Sequence, residues 1–155
     1  MSRAVLLGAG ALLAICVPSL ALPQQIQIGD EHLVTPERHG ELQRMARVAA
    51  GEGQFLVVWQ AHLGGASRIR AARVGIDATS LDPAGFDLSA APGGQFDPDV
   101  AWGHGVFMVV YSDMRSGDHR VVGMRVSADG RLLEAAPIPI STATRAARAP
   151  AVVAT

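Results

Sequence analysis

GHGVFMVVYSDMRSG, residues 103–117, runs on through RVVGMRVSADG (120–130) to IPIS (138–141), and the chain carries the same skeleton once before. GEGQFLVVWQAHLGG (51–65), RIRAARVGIDA (68–78) and FDLS (86–89) precede it by 52 residues. At that offset Val48, Ala49, Gly51, Gly53, Phe55, Val57 and Val58 meet identical residues at 100, 101, 103, 105, 107, 109 and 110. Gly65, Arg68, Arg73, Val74, Asp77, Leu81, Ser89 and Pro98 likewise meet 117, 120, 125, 126, 129, 133, 141 and 150, with no gap. Glycines and aromatics stay in step, which an Ala- and Val-rich composition alone does not produce.

Each unit reads as short strands separated by turn residues. In the second unit the expected strands are 100–102, 106–112, 120–126 and 138–141. Gly103-His104-Gly105 and Asp129-Gly130 supply the turns, since glycine takes positive φ without a steric cost. FLVVW and FMVVY are continuous apolar runs, expected of strands covered on both faces. Pro137 and Pro139 mark the last strand as an edge, because proline cannot donate to a ladder. No stretch after the N-terminal apolar run has helical periodicity. The expectation is an all-β chain with about two four-stranded antiparallel sheets, divided as 43–94 and 95–146. Residues 22–42 form an N-terminal strand segment, and PAVVA, inside 147–155, repeats the entry to a third unit.

Four antiparallel strands at a period near 50 form the signature of a β-propeller blade. The chain resembles secreted bacterial β-propeller repeat proteins of the sialidase-like and WD40-like kind, here as an incomplete propeller. Gln95, Pro98, Val100, Ala101, Phe107, Tyr111, Asp113, Arg115, Asp129 and Gly130 match the blade pattern in the second unit. The first departs from it, with Ala46, Ala61 and Leu63 at the proline, aspartate and arginine positions. The likeness covers roughly residues 43–155 and lacks the Ser-x-Asp-x-Gly-x-x-Trp box of a sialidase blade. Closed propellers use at least about four blades, so either a longer chain or several copies would supply the rest.

The beginning of the chain has its own logic. Arg3, the apolar run 4–17, Pro18 and Ser19-Leu20-Ala21 have the layout of a signal peptide (1–21) cut after Ala21, which implies a secreted or periplasmic protein. The run is shorter than the ~20 residues of a membrane span, so no permanent span is expected. Lipid attachment at Cys16, the single cysteine, is the weaker reading, because Ile15 stands where such sites carry a small residue. Without Cys16 the mature chain has no thiol, hence no disulfide and no thiolate ligand. All 13 basic residues are arginines, scattered along a chain of net charge -1, which is no footprint for nucleic acid.

Asp113, Arg115, Asp118 and Arg120 share one loop and its exit, and are the candidate ligand-binding residues. Carboxylates and guanidinium groups in that arrangement hold a cation or a ligand carboxylate, or brace the loop through an Asp113–Arg115 ion pair. Asp97 and Asp99, flanking Pro98, are expected in a turn role. His32, His39, His62, His104 and His119 have no metal-ligand spacing and are expected at the surface, while Trp59 and Tyr111 are expected as packing aromatics. No catalytic residues, metal site or cofactor are assigned. The first functional expectation is an exported, non-catalytic binding or scaffold module whose partner is a protein or glycan. The alternative is a fragment of an extracellular glycan-acting hydrolase, which needs two carboxylates held ~5 to 9.5 Å apart.

Overall fold

The computed structural model describes residues 33–35, 40–89, 94–142 and 146–155. The expected signal peptide, Cys16, most of the expected N-terminal strand segment 22–42, His32 and His39 lie outside them. The described residues contain no helix, and so none long and apolar enough to cross a membrane. They form eight strands: β1 (Leu42–Gly51), β2 (Gln54–Leu63), β3 (Ala66–Gly75), β4 (Phe86–Asp87), β5 (Gln95–Gly103), β6 (Val106–Asp113), β7 (Arg120–Ser127) and β8 (Ile138–Pro139). Sheet 1 is ordered β1-β2-β3-β4 and sheet 2 β5-β6-β7-β8, with every neighbouring pair antiparallel.

The 52-residue repeat persists in backbone detail. The β1–β2 and β5–β6 hairpins close on Glu52-Gly53 and His104-Gly105, all four with positive φ, as tight hairpin turns require. The first strand of each sheet carries a bulge at the same place, between Arg44 and Arg47 and between Phe96 and Asp99, with Met45 (φ 55°) and Asp97 (φ 53°) left-handed. That bulge corrects one expectation. β5 begins at Gln95, not near Val100, because a bulge frees Pro98 from donating to the ladder. Beyond the third strand, Asp82 reaches back to the backbone N–H and guanidinium of Arg73 (2.9 and 2.8 Å), and Glu134 does the same to Arg125 (2.9 and 2.5 Å).

The two sheets pack face to face. Leu56, Val58, Ile69 and Ala71 of sheet 1 share one core with Phe107, Val109, Tyr111, Val122, Met124 and Val126 of sheet 2. Because side chains alternate, the equivalent positions of sheet 1, such as Phe55 and Val57, point to its other, outward face. Phe107 is 0% exposed and Phe55 37%; Val100 is 7% exposed and Val48 59%. The apolar run FMVVY is thus covered on both faces, whereas FLVVW is covered fully on one.

The interface also depends on close approach. A Cβ on Gly51 would fall within the Trp102 ring, so only glycine admits that indole. Gln95, fully buried, accepts from Ile69 N–H through its side-chain oxygen (2.9 Å), and its carbonyl accepts from the Ser67 hydroxyl (2.6 Å). The segment 146–155 holds the corresponding place one unit on. Ala149 is left-handed (φ 48°), Ala147 N–H donates to His119 C=O (2.9 Å), and Ala154 lies against Gly103, 3.1 Å from where its Cβ would be. Val152 N–H donates to Asp99 Oδ2 (2.9 Å), while residues 150–154 have no ladder partner among the described residues.

Candidate functional site

The third-strand hairpins make the two sheets differ. In sheet 1 the β2–β3 ladder runs to Leu63 opposite Ala66, around Gly64 (φ 60°) and Gly65 (φ 81°), the two positive values a mirror-image turn needs. In sheet 2 the β6–β7 ladder stops at Asp113 opposite Arg120, and the six residues 114–119 open into a loop. The lengths are equal, so chemistry decides. Asp113 Oδ1 accepts from Arg115 N–H (2.9 Å), turning the chain out of the ladder, and Met114 N–H donates to Gly94 C=O (2.7 Å). Ser116 stands where Gly64 does and resists positive φ.

Asp113 is buried and Arg115 lies over it. The guanidinium Nε donates to both carboxylate oxygens (2.9 and 2.8 Å), its Nη2 also binds Oδ2, and Nη1 reaches Ser89 Oγ of the preceding unit (3.2 Å). Burial pushes the Asp113 carboxyl up, but the hydrogen bonds and charge of Arg115 more than offset this and hold it below the usual carboxylate range. The Arg115 guanidinium is correspondingly raised by Asp113. Next to them the Tyr111 hydroxyl is buried without a well-formed hydrogen bond among the described residues, and burial, with the Asp113 charge behind it, pushes the phenol up to about 12.

Of the four candidate residues, Asp113, Arg115 and Arg120 line one cleft of about 370 Å³ with Ser116, Val122, Pro139 and Ser141. Asp118 is exposed and does not line it. The Arg120 side chain makes no ion pair or hydrogen bond among the described residues, so it offers the cleft an uncommitted cation. Of the described histidines, His104 is exposed and His62 half-buried. His119 departs from a surface role: it is half-buried, its Nδ1 has no partner among the described residues, and its ring lies 5.7 Å from that of Phe96. Trp59 and Tyr111 are both buried. Asp97 sits in the bulge, whereas Asp99 holds Val152 and lies 4.0 Å from Arg47 Nε.

The local sequence around Arg70 does not mark it as a buried residue. It is buried on the outward face of sheet 1, paired with Asp87 (3.1 Å), bonded to Ala84 C=O (2.6 Å) and 5.7 Å from the Trp59 ring centre. The signal was present in the repeat, for Arg70 occupies the position of Val122, and an arginine at a core-facing strand position needs such partners. Among the described residues no three His, Cys, Asp or Glu side chains are grouped to share a metal ion. Compared with known proteins, the chain matches no family model and no curated protein sequence.

Proposed function

We propose that this chain is an exported, non-catalytic binding or scaffold module built from β-propeller-type repeats, with the sheet 2 loop and its cleft as the recognition site. The observation that carries this reading is the contrast at 62–67 and 114–119. Two units share bulges, turns and ion-pair positions, yet residues at the same repeat positions form a plain hairpin in one and a braced, charged loop in the other. A rigid frame that carries a braced, charged loop is how recognition sites are commonly mounted. Arg115 is committed to Asp113, which fixes the loop, and Arg120 is left to meet a carboxylate or sulfate on a glycan or protein.

The test is a binding screen of the purified chain on arrays of acidic and neutral glycans and acidic peptides, with glycoside turnover followed on the same ligands. Binding without turnover, weakened about tenfold or more by Arg120→Ala, is the expected result. Turnover abolished by changing one acidic residue would replace this reading with that of a hydrolase.

A further inference from the structure

We propose that copies of this chain associate head to tail, sheet 1 of one copy packing on the outward face of sheet 2 of the next by the contact that already joins the two sheets within a chain. The two outward faces are repeat-equivalents of the two that meet inside. Phe55 corresponds to the buried Phe107, and Val48 to the buried Val100, so at these positions sheet 1 presents outward what sheet 2 presents to its neighbour, while Arg70 and Ala72 stand at the positions of Val122 and Met124. The outward face of sheet 2 corresponds in turn to the face of sheet 1 that receives it.

The segment 150–154 shows what that face accepts. It lies where the first strand of a third sheet would lie, with Val152 bonded to Asp99 and Ala154 against Gly103. It is a light occupant, with Val153 80% exposed and no ladder partner among the described residues. β1 of a second copy matches it at the packed positions, Val48 for Val152 and Ala50 for Ala154. It also improves on it: Arg47 of that copy would stand where Ala151 stands, beside the Asp99 carboxylate, and β2 would bring the ladder that 150–154 lacks. The front end is matched in the same way, since Val34, packed on the outward face of sheet 1, holds the repeat position of Ile138 and yields to it. A contact of this kind is heterologous, and it closes into a ring or extends as a filament according to its rotation.

The test is sedimentation velocity of the full chain across the micromolar range. The expected result is a mass that rises above the 16.1 kDa of one chain with concentration. Val48→Asp changes a side chain exposed in the single chain, so it should keep the β-sheet circular dichroism and lose association by about tenfold or more. Arg47→Asp and Asp99→Arg, each first shown to keep the β-sheet circular dichroism because the two residues also lie 4.0 Å apart within one chain, should each weaken association by like-charge contact, and an equimolar mixture of the two should restore it. Ile76→Asp, in the exposed turn after β3, should change nothing. A one-chain mass at every concentration, unchanged association of the Val48→Asp chain, or failure of the mixture to restore it would each overturn the proposal.

Discussion

Tyr111 is the single tyrosine of the chain, which makes its buried hydroxyl directly readable. Tyrosinate absorbance should report one group titrating at about 12, where an ordinary phenol titrates near 10. Between those values the unfolded chain has released a proton that the folded chain keeps, so stability falls as pH rises through that window. Tyr111→Phe should remove that part of the alkaline loss, and a titration near 10 in the folded chain would show the hydroxyl to be solvated. The carboxylates act in the opposite sense. Asp82 is held low chiefly by the Arg73 side-chain hydrogen bonds, and in Asp113 the Arg115 contacts outweigh burial. Below about pH 4 the unfolded chain takes up protons that the folded chain refuses. The stability these groups contribute is therefore complete above that pH and is lost as pH falls through their folded values. Asp82→Asn should give a chain less stable at neutral pH with a shallower acid limb, measured by urea unfolding at several pH values.

At the scale of elements, equivalent residues have unequal weight because their surroundings differ. Phe107→Ala should cost about 3–5 kcal/mol, as an aromatic lost from a filled core does, while Phe55→Ala, on the outward face, should cost well under half of that. Denaturant unfolding of the two variants measures the difference directly, and equal costs would contradict the burial contrast. The loop is open to a similar comparison. Replacing Asp113 by Ala, Arg115 by Leu and Ser116 by Gly together gives sheet 2 the residues sheet 1 has at those positions, and amides in 114–119 should gain exchange protection as the ladder extends. The strand order and turns were legible in the sequence, because Gly53 and Gly105 punctuate apolar runs 52 residues apart and Asp129-Gly130 holds the repeat position of Asp77-Ala78. The start of β5 was not. Pro98 argues locally against a strand, and only the register of the partner strand reveals the bulge that admits it. His119 and Arg70 were equally hidden, since their burial depends on Phe96 in one case and on Asp87 and Trp59 in the other, which are brought together only by folding.

Across the described part of the molecule one core joins the two sheets. β5 lies against β1, β2 and β3, one core spans both sheets, and the Gln54 side chain and Arg73 both bond Ala128 C=O across the interface (2.6 and 3.0 Å). Thermal unfolding followed by tryptophan fluorescence and by far-ultraviolet circular dichroism should therefore give one superimposable transition, and two separated transitions would show that the sheets melt independently. Gly51→Ala should lower that transition, because the added methyl collides with the Trp102 ring, by an overpacking cost of about 1–3 kcal/mol. Gly103→Ala meets only the Ala154 methyl and should cost less. At the level of the gene, the braced loop differs from its counterpart in sheet 1 by substitutions at fixed length, Asp113 against Ala61 and Arg115 against Leu63, so the two units keep one repeat phase. A coding segment that keeps its phase can be duplicated or lost by unequal crossing-over and still encode sheets that stack, whereas an insertion inside the frame would leave each new copy out of step with its neighbour.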